Sequence, residues 1–299
     1  MRVGILGGGS IGLLFAAYLA NTNDVTVYTR TERQASLLNK NGVTLLENDS
    51  SNTYKINATF RSQLINNEEI LIIALKQYDL QHVMSIFVDV DKVSTIIFLQ
   101  NGMDHIEYIE QLKNKNLLLG VVEHGALKVD ETTVIHTGVG ITKYGVYRGN
   151  INAITLLDKH GTFSKNFPLL IEENWLEMLS AKLVVNAVIN PLTALFKVEN
   201  GQLLLNQYFY RIMHTLFQEI ITVIHISNEK KMWMQVEGIC KKTSSNRSSM
   251  LKDIEEERKT EIDAILGYIL RQAENKNKSL PLTSFLFEAI KGIEERGSK

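Results

Sequence analysis

The chain has 299 residues, of which 44% are hydrophobic and 22% charged, and a formal net charge of -1. These totals describe a soluble globular protein large enough for two domains, with no overall basic balance for nucleic acid or acidic lipid. A single cysteine, Cys240, excludes an internal disulfide framework, argues against a thiolate metal cluster, and suits a reducing compartment.

The N-terminus imitates a secretion signal, with Met1 and Arg2 before an apolar run ending LFAAYLA. Glycines at 4, 7, 8, 9 and 12 argue against it, because each interior glycine costs a helix about 1 kcal/mol. The same residues read better as strand, turn, helix and strand. Residues 2–6 are a short apolar strand, and Gly7-Gly8-Gly9-Ser10-Ile11-Gly12 satisfies GxGxxG. Residues 13–21 have helical spacing, and residues 25–29 are a second strand. In this context the motif reads as a dinucleotide fingerprint. Gly7 permits the tight turn, Gly9 lets the backbone approach a pyrophosphate, and Gly12 lets the helix pack on the strand. The helix N-terminus offers N–H groups to the phosphates, and Ser10 and Ile11 of the turn are assigned to the cofactor with the glycines. The competing reading is a glycine-rich turn without a ligand.

The end of the second strand selects the cofactor. An NAD site places an acid there for the ribose 2′-hydroxyl. Here the strand ends Tyr28-Thr29-Arg30-Thr31, with no acid before Glu32. A guanidinium attracts the 2′-phosphate of NADPH, so Arg30 is assigned to it, with Arg33 a weaker second candidate. The alternative is an ordinary surface arginine.

Two unbroken apolar runs, residues 70–75 and 95–99, read as strands buried on both faces. Lys76 follows the first directly and Asn101 stands just beyond the second, after Gln100, and ligands of open α/β sheets gather beyond the carboxyl ends of strands. A solvated loop lysine and a turn-forming asparagine are the competing readings. Residues 117–122 read as a further strand, and residues 132–147 as an antiparallel hairpin ending the domain. His124 and His136 lack metal-ligand spacing and read as structural. Residues 151–166 read as a closing helix, and residues 167–173 as a short strand or crossover. The rest reads as helices over 175–190, 191–198, 202–226, 230–239, 249–274 and 282–296, with KKTSSNRSS (241–249) as a mobile loop. The fold class is therefore α/β: a Rossmann-type NADP-binding domain over 1–166, then an all-helical domain over 167–299.

The stretch WLEMLSAKLVVNAVINPLTALF, residues 175–196, is apolar on almost every side, yet Lys182, Asn186 and Asn190 recur at i, i+4 and i+8. On a helix they form one polar stripe. A membrane span is disfavoured, since a central lysine costs about 2.5–3.5 kcal/mol there. A polar network in a core and a ligand site remain. In the predicted helix 249–274, Glu261 lies on the apolar stripe of Ile254, Ile265 and Ile269, while Asp263 points elsewhere. A buried carboxylate wants a buried cation, which pairs Glu261 with Lys182. The alternative places Glu261 at a solvated helix edge.

GGGSIG, the strand end Leu75-Lys76, Asn101-Gly102-Met103, KLxxNxxxNPLTAL from Lys182 and SSMLxDI…TEID from Ser248 together resemble the ketopantoate reductase (2-dehydropantoate 2-reductase) family. The resemblance spans both domains. It implies a cytoplasmic NADPH enzyme of pantothenate and coenzyme A synthesis, monomeric or homodimeric, that reduces 2-dehydropantoate to (R)-pantoate in an interdomain cleft. A reductase of the same architecture acting on another 2-oxo or 3-hydroxy acid is the nearest alternative. The resemblance makes Lys182 the general acid and Glu261 its partner, touching substrate and cofactor. Asn186, Asn190 and Ser249 become ligands of the substrate's hydroxyl and carboxylate. Lys76 and Asn101 stand at the cofactor–substrate junction. The cofactor is NADPH/NADP+, the other partner is a small-molecule substrate, and no metal, nucleic acid or membrane is expected.

Overall fold

A computed structural model describes residues 1–47, 50–60, 65, 68–80, 92–158 and 163–297. The chain forms two compact units, Met1–Gln100 with His105–Trp175, and Asn101–Asp104 with Leu176–Lys299.

The strands of the first unit are β1 (Arg2–Leu6), β2 (Asp24–Tyr28), β3 (Val43–Glu47), β4 (Ser50–Tyr54), β5 (Asn57–Thr59), β6 (Ile70–Ile73), β7 (Thr95–Phe98), β8 (Asn116–Val122), β9 (Gly125–Lys128), β10 (Thr133–Gly138), β11 (Thr142–Arg148) and β12 (Leu169–Glu172). Its helices include α1 (Ser10–Leu19), α2 (Glu32–Asn41), α3 (His105–Ile109) and α4 (Asn152–Asp158) among the described residues. The main sheet has the order β12-β11-β8-β7-β6-β1-β2-β5. From β5 to β8 every pairing is parallel, and β11 returns antiparallel to β8. This is the doubly wound order with β1 at its centre. β6 and β7 are buried at every position, which explains their unbroken apolar sequence.

A second sheet, β4-β3-β10-β9, lies on the other side of α1, so that α1 touches β1 and β2 of one sheet and β3, β9 and β10 of the other. Leu13, Leu14, Phe15, Ala16, Ala17 and Leu19 are consequently buried. A helix covered on both sides is apolar all round, which is why this segment imitates the core of a secretion signal.

Three expectations for this unit are corrected. The arms of the expected hairpin 132–147 do not pair with each other: β10 joins the small sheet and β11 the main one. Gly138 and Gly140 fall at the break, where a Cβ on Gly140 would be driven into the Glu123 carbonyl. The unit also runs past the expected boundary at 166, because β12 pairs in parallel with β11. Finally, four of its residues, Asn101–Asp104, are counted with the helical unit.

His124 and His136 are buried and linked. His124 Nδ1 lies 3.1 Å from His136 Nε2, and His136 Nδ1 lies 2.8 Å from the Tyr18 hydroxyl, which donates to Glu47. Phe167 stacks on both Tyr18 and His124. Burial, with His136 alongside, pulls the His124 pKa down to about 4.

The described part of the second unit is helical: α5 (Trp175–Phe196, whose first residue belongs to the first unit), α6 (Gln202–Leu205), α7 (Gln207–Ile221), α8 (Glu229–Lys242), α9 (Ser249–Glu255), a π-turn (Asp263–Gly267), α10 (Tyr268–Asn275) and α11 (Pro281–Gly297). α5 is long and apolar enough to cross a membrane, but most of it is buried within the protein. It continues through Pro191, where a break was expected. Thr193 Oγ1 stands 2.9 Å from Ile189 O and 3.0 Å from Asn190 O in the turn that follows. Lys197, at φ 54, ends the helix as Val198 N–H donates back to Thr193 O at 3.1 Å.

The expected helix 202–226 is interrupted at Asn206, whose side chain accepts from Tyr208 N at 2.9 Å and caps α7. The expected loop 241–249 is tied down. Lys241 and Lys242 end α8, Asn200 N–H donates to Asn246 O at 3.0 Å, and Gly201 N–H donates to Ser244 O at 2.9 Å. The expected helix 249–274 is two helices. Glu257 turns at φ 53, and Arg258 donates from its backbone to Asp253 O and from Nε to Asp253 Oδ1. Thr260 then restarts the helical run: its Oγ1 accepts from Ile262 N at 3.1 Å, and its N–H donates to Glu294 Oε1 at 2.7 Å. Glu261 thus shares no helix with Ile254.

Candidate active site

The glycine turn sits at the carboxyl edge of the main sheet between two neighbours. Leu6 of β1 pairs with Tyr28 of β2 and with Ile73 of β6, so the three strands end side by side. Gly7 has φ 118, and a Cβ there would stand 2.8 Å from Ala74 O. A Cβ on Gly12 would overlap Gly7 O, so the helix can approach the turn only with glycine there. Gly9 is exposed, and a Cβ on it would meet nothing within 4 Å. No side chain caps the start of α1. An open glycine before an uncapped helix N-terminus fits a pyrophosphate, since the backbone donors of the first turn are free to meet anionic oxygens.

Arg30 lies one strand over, exposed in the turn from β2 to α2. That turn is held by Thr29 Oγ1, which donates to Thr31 O at 2.8 Å, and by Thr31, which caps α2 through Gln34 N. Lys76 lies on the other side, half-buried beyond β6. Gln100 laces the ends of β6 and β7 together, its Nε2 donating to Ile73 O at 3.0 Å and Leu75 O at 3.1 Å.

In the helical unit, Asn186 and Asn190 are buried on α5 with Lys182 half-buried one turn before them. Glu261 is only 6% exposed. Its Oε2 accepts from Asn101 Nδ2 at 2.9 Å. Two features bring Asn101 to Glu261. Gly102 turns at φ 80, and a Cβ there would overlap Ala264 O inside the π-turn. Asp104 forms an ion pair with Arg271. Asn101–Asp104 are thus fastened along the start of the 261–275 run. Such π-turns are frequent at functional sites.

The two serines differ. Ser249 is exposed at the first position of α9. Ser248 is buried, caps α9 through Leu251 N, and lies 2.8 Å from Thr193 Oγ1 on α5. Cys240 is buried, and burial pushes its thiol up to about 12, so it offers no thiolate near neutral pH.

Residues 3–149 match the family described as Ketopantoate reductase PanE/ApbA, and residues 174–294 match Ketopantoate reductase PanE/ApbA C terminal. The 2-dehydropantoate 2-reductase of Bacillus subtilis is 37% identical over 100% of this chain and 99% of its own length. The chain belongs to the ketopantoate reductase family. The Listeria monocytogenes 2-dehydropantoate 2-reductase is 40% identical over 98% of this chain and 97% of its own. The crystal structure of the probable 2-dehydropantoate 2-reductase panE from Bacillus subtilis has a TM-score of 0.89 at 36% identity, covering 98% of this chain and 100% of that one.

Within this ketopantoate reductase fold the structure joins Asn101 to Glu261 and stacks Lys182, Asn186 and Asn190 on one helix. Gln34, Gln100, Thr193 and Ser248 are polar residues that sequence reasoning passed over. Thr31 to Gln34 has the T-x-x-Q form of a capping box, a readable signal for the start of α2. The Ser248–Thr193 contact joins residues far apart in sequence and leaves no local signal.

Proposed function

We propose that this chain is an NADPH-dependent 2-dehydropantoate 2-reductase producing (R)-pantoate, working in the cytoplasm as a monomer or homodimer. The observation that carries the reading is the buried polar array of the helical unit: Asn186 and Asn190 beside Lys182, and the Asn101–Glu261 hydrogen bond. Burying so many polar groups is costly unless a ligand or partner meets them. A keto acid with a hydroxyl and a carboxylate offers both donors and acceptors.

The residues divide the work. The glycine turn from Gly7 to Gly12 holds the pyrophosphate and Arg30 the 2′-phosphate. When bound, NADPH supplies the hydride for the C2 ketone. As negative charge develops on the ketone oxygen, Lys182 Nζ donates a proton to it and recovers one from solvent. Glu261 partners Lys182, and Asn101 orients Glu261. Asn186, Asn190 and Ser249 hold the substrate's hydroxyl and carboxylate, with Lys76 at the cofactor end. A substrate panel with NADPH consumption as readout tests the reading. A rate with 2-dehydropantoate well above the rates with other 2-oxo acids supports it. Preference for a different 2-oxo acid overturns the substrate assignment.

A further inference from the structure

We infer that Gln34, on α2, is a positioning residue that fixes the direction in which the glycine turn presents its pyrophosphate donor; the inference rests on the cofactor reading above. Gln34 is 5% exposed. Its Nε2 donates to Gly8 O at 2.8 Å and to Glu131 O at 3.1 Å. Two carbonyl acceptors admit only the amide NH₂ at that position, so the orientation of the side chain is set by its partners.

The position of this amide departs from the local pattern. Thr31 caps α2 by accepting from Gln34 N. In a capping box the glutamine side chain would reach back to the Thr31 N–H. Here it extends to Gly8 and to the turn between β9 and β10.

The consequence follows from peptide geometry. In a planar trans peptide the C=O and the following N–H point in opposite directions. Holding Gly8 O against Gln34 therefore aims the Gly9 N–H away from the protein interior. Gly9 itself is exposed, and a Cβ on it would meet nothing within 4 Å. The peptide lies between two glycines, whose backbone is the most permissive of any residue. Without a partner on Gly8 O it can rotate and present a carbonyl to the anion in place of a donor. Gln34 also closes the space over Gly8, where a Cβ would stand 2.6 Å from Gln34 Oε1. Gln34 thus keeps the turn in its anion-binding form.

The test is equilibrium titration of the full-length protein with NADPH and with adenosine 2′-phosphate, which has no pyrophosphate. Gln34→Met keeps the side chain's length and removes the donor. It is expected to weaken NADPH by about tenfold, as loss of an oriented charge-assisted hydrogen bond does, and to leave adenosine 2′-phosphate within about twofold. Unchanged NADPH affinity, or an equal loss for both ligands, overturns the inference. If wild-type protein binds no NADPH, the cofactor reading fails and takes this inference with it. If Gln34→Met does not fold, Gln34→Glu, which keeps the shape and as a carboxylate cannot donate, is measured against the same criterion.

Discussion

Asn101 donates to Glu261 at 2.9 Å, joining the loop beyond β7 to a residue that lies 160 positions later in the chain. The bond satisfies part of a carboxylate that is only 6% exposed. Asn101→Ala removes one donor from that buried acid. It is expected to cost about 1–3 kcal/mol in chemical denaturation and to lower turnover as well. Asn101→Asp sets a second carboxylate against the first and is expected to lose more. Equal stability of wild type and Asn101→Asp contradicts a stabilising role for the Asn101–Glu261 hydrogen bond.

Lys182→Ala is expected to fold and to bind NADPH as wild type does, while turnover falls by about a hundredfold to ten-thousandfold, the range for losing a general acid. Steady-state rates beside NADPH titrations separate the two effects. Near-normal turnover removes Lys182 from the chemistry.

Arg30→Ala tests the choice of cofactor. A guanidinium on the 2′-phosphate matters to NADPH and not to NADH. The variant is expected to raise KM for NADPH by about tenfold to a hundredfold, with little change for NADH. Equal effects on both cofactors contradict the assignment.

The glycines of the turn are expected to divide into fold and ligand roles. Gly12→Ala drives a methyl into Gly7 O and is expected to destabilise the protein by about 1–3 kcal/mol or more. Gly9→Ala meets no protein atom within 4 Å. It is expected to stay within about 0.5 kcal/mol of wild type while binding NADPH more weakly. Thermal unfolding with and without NADPH checks both.

Stability should fall on mild acidification. His124 is held neutral in the fold, its pKa pulled down to about 4 by burial and then by His136. In the unfolded chain it takes a proton near pH 6.5. The unfolded state then binds more protons than the native state. The neutral form is at no disadvantage above about pH 6.5, and stability is lost as pH falls from there towards about 4. The loss is up to about 3 kcal/mol in all. His105, buried and lowered to about 3, acts with the same sign. Between about pH 6.5 and 5, above most carboxylate titration, His124→Gln should flatten the dependence of the unfolding midpoint on pH. An unchanged slope contradicts the buried neutral histidine.

Local pattern was enough to find the glycine turn and the polar stripe of α5. GxGxxG lies within one strand–turn–helix unit, and the stripe is a matter of helical period. The elements that were missed depend on distant partners. β3 pairs with β10, and the arms of the expected hairpin separate because each finds its partner in a different sheet. Glu261 was expected to be buried as part of one long helix stripe. It is buried, but the helix breaks after Glu255, and Thr260 restarts the run that carries it. The apolar positions on either side of the break happened to match a single period. Pro191 led to the opposite error, since the turn around Thr193 carries α5 past it.

The proposed reaction is hydride transfer from NADPH to 2-dehydropantoate with Lys182 as the proton donor. The most direct measurement is the initial rate of NADPH oxidation by purified wild-type protein with 2-dehydropantoate, with Lys182→Ala in parallel and product analysis by chiral chromatography. The account predicts substrate-dependent oxidation by wild type, (R)-pantoate in equal amount to the NADPH consumed, and a rate for the variant at least about a hundredfold lower. Wild-type protein that binds NADPH but leaves it unoxidised in the presence of 2-dehydropantoate would contradict it.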